Sequence, residues 1–270
     1  MSLKVATWNI NSLRTRLSHI LTWLQDKQPD ILALQETKLL DEQFPVTSFN
    51  EVGYVPFYSG QKAYNGVALL IKKEGELPSI RDIITDIPDF DDPPRRILGA
   101  VINDIYILNI YIPNGGEKPT TEKYQYKLRW LEAFNHFIQE EISKHTNMII
   151  LGDFNIAPEE IDVYDAKKWE GKVMFTEPER ASFQNLLKIG FKDCFRLIHP
   201  EDQGIFSWWD YRRIGSFERN AGLRIDHILA SSSFASTCKM CQIDYLPRSW
   251  ARPSDHAPVL AEFRGSGLTP

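Results

Sequence analysis

Four short strings at the ends of apolar runs carry acidic or imidazole side chains. They are Leu34-Gln35-Glu36-Thr37-Lys38, Leu151-Gly152-Asp153-Phe154-Asn155, Arg224-Ile225-Asp226-His227 and Ser254-Asp255-His256-Ala257-Pro258. Each places a carboxylate just beyond a run that reads as a buried β-strand, and the last adds His256. A fold that brings four strand ends together gathers Glu36, Asp153, Asp226, Asp255 and His256 in one pocket. Such a pocket repels itself unless a hard cation or a proton neutralises it. That is the chemistry of metal-assisted phosphate-ester cleavage. Asp153 lies two residues before Asn155, and in an extended segment both side chains share a face. An acid and an amide on one face can hold and deprotonate a water. Asp255-His256 sets an acceptor beside a titratable donor, one suited to a metal and the other to a phosphate. A single acid at a strand end is usually solvated, and a single histidine is usually structural. The repetition of the pattern argues for a site.

The elements that must position these residues follow from periodicity. Residues 3–8 alternate as a strand, with Leu3, Val5 and Thr7 on one face. Ser12 stands where it can cap a helix in which Leu17, Ile20, Leu21 and Leu24 recur. Pro29-Asp30 ends that helix, and residues 31–34 form a buried strand running into Glu36. Residues 54–58 and 67–71 read as a strand pair, and residues 86–94 as an acidic, proline-bearing loop. Residues 98–102 and 105–111 form a hairpin about Asn103-Asp104. Residues 121–144 form a long amphipathic helix whose stripe is Tyr124, Leu128, Leu131, Phe134, Ile138 and Ile142. Residues 148–151 are the strand before Asp153. Residues 157–180 show no clear periodicity, and residues 183–187 make a short helix stopped by Gly190. Residues 225–229, 238–245 and 259–263 read as strands. No linker divides the chain, so one catalytic domain is expected over residues 1–264, with a disordered tail at 265–270. Interleaved strands and helices, with hairpins in both halves, suit an α/β architecture of two mixed sheets packed face to face with helices outside.

Composition bounds the function. The chain has 270 residues, 43% of them hydrophobic and 25% charged, as in an ordinary globular protein. No apolar run approaches the ~18 residues of a membrane span. The first residues show no signal-peptide pattern, so the chain is expected to stay where it is made, which for a bacterium is the cytoplasm with its nucleoid. Three cysteines, Cys194, Cys238 and Cys241, are too few for a disulfide framework, and Cys238 and Cys241 lack the second pair a zinc site needs. The net charge of −5 argues against a uniformly basic nucleic-acid binder, yet a carboxylate-rich site lowers the total and a basic face remains open. Candidate phosphate contacts are Arg14, Arg16, Lys38, Lys62, Arg95, Arg96, Arg212, Arg213, Arg219, Arg248 and Arg252, many of them beside the motifs.

Seven strings occur in one order: Thr7-Trp8-Asn9-Ile10-Asn11-Ser12-Leu13-Arg14, Leu34-Gln35-Glu36-Thr37-Lys38, Asn65-Gly66-Val67-Ala68, Tyr111-Ile112-Pro113-Asn114-Gly115, Gly152-Asp153-Phe154-Asn155-Ile156, Leu223-Arg224-Ile225-Asp226 and Ser254-Asp255-His256-Ala257-Pro258. The order resembles the exonuclease III family of DNA-repair phosphodiesterases, which includes abasic-site endonucleases. The match runs from about Lys4 to Phe263. The resemblance implies a four-layer α/β sandwich of the DNase I-like kind, with the site at one edge between the sheets. It implies Glu36 as principal ligand of Mg²⁺, with Mn²⁺ a possible substitute, and Asn9 and Asp255 in support. Asp153 becomes the base that activates water, oriented by Asn155. Asp226 bonds His256, and His256, Tyr111 and Asn114 meet the scissile phosphate. Arg95, Arg96, Arg212 and Lys62 become DNA contacts. The segment Phe206-Ser207-Trp208-Trp209-Asp210-Tyr211-Arg212-Arg213 also matches, and Trp208, Leu223 and Ile225 are expected to wall a pocket for an extrahelical sugar.

Position 11 departs from relatives that carry Asp there, which weakens the case for a second metal. The implied substrate is double-stranded DNA with abasic sites, nicks or 3′ ends, handled by a monomer away from membranes. Two other functions compete. A phosphoesterase for inositol phosphates or phospholipids shares the Glu, Asp-x-Asn and Asp-His elements but needs no Trp-Trp-Asp-Tyr-Arg-Arg segment. An inactive nucleic-acid-binding module is expected to have lost one of Glu36, Asp153, Asn155, Asp226 or His256, and all five are present. The irregular segment 164–176 is expected to border DNA and to limit internal incision through Trp169, Met174 and Phe175.

Overall fold

The computed structural model describes residues 2–75 and 78–265. In chain order the elements are β1 (Ser2–Asn9), α1 (Leu13–Lys27), β2 (Ile31–Gln35), α2 (Val46–Glu51), β3 (Tyr54–Ser59), β4 (Val67–Lys72), β5 (Ile80–Ile84), β6 (Ile97–Ile102) and β7 (Ile105–Tyr111). There follow α3 (Glu122–Lys144), β8 (Met148–Asp153), α4 (Ala166–Trp169), α5 (Glu177–Ile189), β9 (Phe191–Asp193), α6 (Cys194–Ile198), β10 (Asp226–Ser231), α7 (Ser232–Ala235), β11 (Cys238–Ile243) and β12 (Val259–Arg264). They form two six-stranded mixed sheets, ordered β11-β12-β1-β2-β4-β3 and β5-β6-β7-β8-β10-β9.

Strand alternation explains the layers. In β1, β2 and β4, residues Leu3, Val5, Ile31, Ala33, Val67 and Leu69 face inward. They pack against Leu98, Ile107, Ile149, Leu151 and Ile228 of the second sheet. The opposite parity, Ala6, Trp8, Leu32, Leu34 and Leu70, packs under Ile20, Trp23 and Leu24 of α1 and Phe49 of α2. On the far side Leu108, Ile110, Ile150 and Leu229 are covered by Trp130, Phe134 and Ile138 of α3 and Phe183 and Leu186 of α5. The result is a four-layer α/β sandwich: the two packed sheets that the interleaved pattern suggested, in the DNase I-like form that the resemblance implied.

Polar groups also cross between the sheets. Gln35 Nε2 donates to Asn109 Oδ1 at 2.7 Å and to Thr7 Oγ1 at 2.9 Å. Asn109 Nδ2 in turn donates to the carbonyls of Leu34 and Ala68. All of these groups are buried, so the network holds one relative placement of the sheets at the edge where the motifs end.

Register sets the site. Parallel pairing of β1 and β2 aligns Asn9 with Gln35, one residue before Glu36. In the second sheet Tyr111 aligns with Asp153, and Asp153 with Asp226. The ends of β1, β2, β7 and β8 and the start of β10 thus lie along one edge.

Several local expectations change. Ser12 occupies the N-cap position of α1 but its hydroxyl makes no capping bond; it lies 3.2 Å from Thr15 Oγ1 instead. The short helix expected at 183–187 is the second half of α5, which starts at Glu177. A capping box between Thr176 and Glu179, with Pro178 in the first turn, starts it early. The short elements α2, β5, β9 and α6 carry too few residues to show a period. Cys238 and Cys241 sit in β11 as free thiols. Residues 266–270 of the expected tail lie outside the described residues.

Gly152 is where β8 presses hardest on its neighbour. Its φ is 150°, and a Cβ there would stand 1.9 Å from the Ile110 carbonyl oxygen. Gly152→Ala should therefore cost roughly 3 kcal/mol or prevent folding, read as the urea midpoint. A wild-type midpoint would mean β7 and β8 can separate without loss.

Candidate active site

Glu36 leaves β2 through a left-handed backbone, φ 53°, and Lys38 repeats it at 56°. Ladder-like bonds hold this turn: Ser12 N–H to Glu36 O at 2.8 Å, Leu13 N–H to Thr37 O at 3.0 Å and Thr37 N–H to Gly66 O at 3.1 Å. The strained turn aims the Glu36 carboxylate at the sheet edge. There Asn9 Nδ2 donates both to Glu36 Oε1 at 2.9 Å and to Asp153 Oδ2 at 2.8 Å. One amide so joins the first sheet's carboxylate to the second sheet's.

The Asp153–Asn155 segment does not stay extended. Asn155 has φ 50°, and its N–H closes on Asp153 Oδ1 at 2.9 Å. The turn still brings the side chains together, with Asn155 Nδ2 3.3 Å from Asp153 Oδ2 and 2.9 Å from the Ile112 carbonyl. Asn114 Nδ2 donates to Asn155 Oδ1 at 3.1 Å. The side-chain hydrogen bonding of the turn, not strand alternation, puts acid and amide side by side.

His256 Nδ1 lies 2.8 Å from Asp226 Oδ2, and its Nε2 is 3.8 Å from Asp153 Oδ2. Two serines set this geometry. Ser207 Oγ accepts the N–H groups of Ile225 and Asp226, each at 3.0 Å. Ser254 Oγ donates to Asn9 O at 2.7 Å and accepts from His256 N–H at 3.2 Å. Burial alone would lower the His256 pKa, but the carboxylates of Asp226 and Asp153 outweigh it and raise it to about 10. The ring is an imidazolium at neutral pH, a donor for phosphate. Asp153 is pushed above the usual carboxylate range, foremost by burial, while His256 opposes and Asp226 adds to the shift. A carboxylate with raised basicity suits proton abstraction. The Tyr111 phenol is held protonated by burial and by the nearby Glu36 and Asp153 carboxylates, with Arg96 4.9 Å above its ring.

The donor set fits a hard divalent cation. Glu36, Asp153, Asp226 and Asp255 supply carboxylate oxygens, and Asp226 Oδ1 is buried without a hydrogen-bond partner. Ligand atoms of Asp153, Asp226 and His256 lie within 4.8 Å of one another. Glu36 Oε2 meets Lys38 Nζ at 2.8 Å, and Lys38 also bonds Asn11. Asn11 Nδ2 passes the chain on to Asp255 Oδ1 at 2.9 Å, and Asp255 Oδ2 accepts from Trp208 Nε1 at 3.0 Å. Asp255 therefore stands in the outer network around Glu36.

Trp208, Leu223 and Ile225 share one apolar cluster with Val163, Val173, Met174 and Phe175. Trp209 packs apart from it, with Phe206 and Ala257. Arg96 borders the site through Tyr111, whereas Lys62 is exposed, Arg95 pairs with Asp86, and Arg212 pairs with Asp210 on the surface. Arg248 is buried, donates to the Ser254 carbonyl and lies 4.8 Å over the Phe217 ring, so it braces the Ser254 turn from within. Arg16 likewise holds the carbonyls of Asn11, Arg252 and Pro253. Lys127 was missed altogether. It is fully buried beneath the Asn155 turn, and its signal was a charge set among the apolar residues of α3.

The His256 shift has a sign for stability. Its folded pKa exceeds the unfolded value of 6.5, so its contribution is complete below about 6.5 and is lost as pH rises toward about 10. The melting point of EDTA-treated protein should fall across that window, and His256→Gln should flatten the fall. An unchanged slope in the variant would remove the imidazolium from the account.

Comparison with known proteins agrees with this geometry. The profile of the Endonuclease/Exonuclease/phosphatase family matches residues 6–256. Exodeoxyribonuclease III of Haemophilus influenzae is 36% identical over 273 positions, covering 97% of this chain and 100% of that protein. A 3′ phosphatase from Neisseria, solved with a product DNA hairpin, superposes with a TM-score of 0.92 at 41% identity, covering 97% of this chain and 100% of that one. An AP endonuclease from Archaeoglobus fulgidus gives 0.92 at 39% identity with the same coverage. A site of this construction, in a chain similar to these proteins along nearly its whole length, places the protein in the endonuclease/exonuclease/phosphatase family and, within it, in the exonuclease III group.

Proposed function

We propose that the chain is a divalent-metal-dependent DNA-repair phosphodiesterase that trims 3′ ends, removes 3′ blocking groups and incises abasic sites in duplex DNA. The observation that carries the reading is the Asn9 amide joining Glu36 to Asp153, with the His256–Asp226 pair 3.8 Å away. It sets a hard-cation ligand, a base and an acid side by side. Three relatives named for DNA exonuclease, 3′-phosphatase and abasic-site activity support the substrate class.

The roles follow from position. Asp153 takes a proton from water, and Asn155 orients that water toward phosphorus. The water oxygen bonds to phosphorus as the P–O3′ bond breaks, and the departing 3′ oxygen takes a proton from solvent to become a 3′-hydroxyl. Negative charge gathers on the non-bridging oxygens, where the His256 imidazolium, the Tyr111 hydroxyl and the Asn114 amide donate. A divalent cation, Mg²⁺ with Mn²⁺ as substitute, would be held by Glu36 with Asn9 and Asp255 in support, and would polarise the phosphate as a Lewis acid. Asn11 in place of a carboxylate, bonded by Lys38, favours one such ion. Arg96, with Arg95, Arg212 and Lys62 further out, would meet the DNA backbone.

Two labelled duplexes test this, one with an internal abasic analogue and one with a recessed 3′-phosphate, each with Mg²⁺ or with EDTA. Cleavage of either, lost in EDTA, is expected; failure on both with Mg²⁺ present sends the reading to phosphorylated lipids and inositols. Asp153→Asn should lose roughly 10²- to 10⁴-fold in turnover while keeping DNA affinity. Weakened binding with normal single-turnover chemistry would contradict the base.

The balance between the two duplexes is assigned to the 172–176 turn. Val173, Met174 and Phe175 fill space against Trp208, Leu223 and Ile225, where an extrahelical sugar would sit. Met174 has φ 76°, a conformation glycine adopts freely. Met174→Gly should therefore keep the turn, open the slot, and raise abasic incision relative to 3′ processing on the order of tenfold. An unchanged ratio would dismiss the turn as a barrier.

A further inference from the structure

Lys127 sits in the middle of α3, where the apolar stripe calls for a hydrocarbon. Its side chain and that of Glu179 in α5 are both completely buried, 2.5 Å apart. Burial pulls the Lys127 pKa down, and Glu179 opposes that pull. An isolated buried pair of this kind contributes little net stability, because desolvation offsets the attraction. Its other contacts give it a different use.

The three ammonium N–H groups have three acceptors. They are Asn155 O at 2.7 Å, Asn114 O at 3.4 Å and Glu179 Oε1. Asn155 bonds Asp153, and Asn114 bonds Asn155 in turn, so one cation holds the main chain of both from below. Glu179 reaches the other way. Its Oε1 accepts Met174 N–H at 2.9 Å, and its Oε2 accepts Thr176 N–H at 2.9 Å and Thr176 Oγ1 at 2.7 Å. The same turn is tied again by Ala157 N–H to Met174 O at 2.8 Å. Space is tight: a Cβ on Gly115, φ 88°, would stand 3.0 Å from Lys127 Cδ and 2.9 Å from Val173 Cγ1.

We propose that the buried Lys127–Glu179 pair is a positioning device for the reaction, fixing the Asn155 and Asn114 amides and the 173–176 turn to one point beneath the substrate. It rests on the nuclease reading. Lys127 touches no substrate; it acts through the two asparagines. A misplacement of about 1 Å in such groups costs on the order of a hundredfold in rate.

Two variants separate positioning from stability. Lys127→Met combined with Glu179→Gln removes both charges, leaving no unpaired ion. Lys127→Arg keeps the ion pair but cannot set a compact ammonium on the same three acceptors. Turnover on the recessed 3′-phosphate duplex is compared with the melting point and with KM. Both variants should stay within a few degrees of the wild-type melting point, keep KM within about threefold, and lose kcat, about a hundredfold in the double variant and less in Lys127→Arg. A double variant that does not fold leaves Lys127→Arg to decide. Wild-type kcat in either folded variant overturns the positioning role alone. A wild-type protein that cleaves neither duplex overturns the nuclease reading and this proposal with it.

Discussion

The site depends on one hydrogen-bond donor shared by two carboxylates from different sheets. Asn9 Nδ2 reaches Glu36 on the first sheet and Asp153 on the second within 2.9 Å. That contact is possible only if the two sheets meet at a fixed separation and offset. The packed inner faces set the separation, and the buried Gln35–Asn109 bridge sets the offset, because any slide would strand its polar atoms. Asn109 lies two residues before Tyr111 and Gln35 immediately before Glu36, so the group that locks the sheets is also the last buried step before the chemistry.

A second constraint is charge. Asp153, Asp226 and His256 are nearly sealed from water, where two carboxylates alone would repel. The imidazolium between them and the amides of Asn9 and Asn155 offset that repulsion without removing the acids' oxygens. Behind Asp226, Arg224 spans Asp162 and Asp193 in the dry interior and touches the neutral ring of His227. Arg224 stands between Leu223 and Ile225, so its ion network carries two walls of the apolar slot. The charged interior thus sits where the chain must be held in place. Replacing Arg224 would leave Asp193 buried without its guanidinium, while Asp162 would keep Arg196.

Much of this was legible in the residues. The inward parity of β1, the Asn103-Asp104 hairpin and the apolar run before Asp153 each depend on neighbours in sequence, and each appears as expected. The four carboxylate strings were conspicuous because each borders an apolar run, but only Glu36 and Asp153 end theirs: Asp226 opens β10 and Asp255 precedes β12, so the expectation of four acids beyond four strands is corrected for those two. What was not legible depended on bonds between distant residues. The start of α5 was written in Thr176 and Glu179, yet the reading of that stretch leaned on apolar periodicity, which its first turn lacks. Arg248 looked like a surface cation because sequence shows charge and not burial. Lys127 was hidden for the converse reason: its Glu179 partner lies 52 residues along the chain.

The sequence by itself determined the layered α/β architecture, the identity of the acids, amides and histidine, and the strand ends on which they ride. Those are properties of local pattern, since a side chain's chemistry and a strand's parity need no third dimension. Tertiary structure alone decided that Asn155 reaches Asp153 through a left-handed turn, that His256 is charged, and that Met174 lies against Trp208. Each is a consequence of burial and of contacts between segments far apart in the chain. Dielectric surroundings and close packing arise only when the two sheets come together.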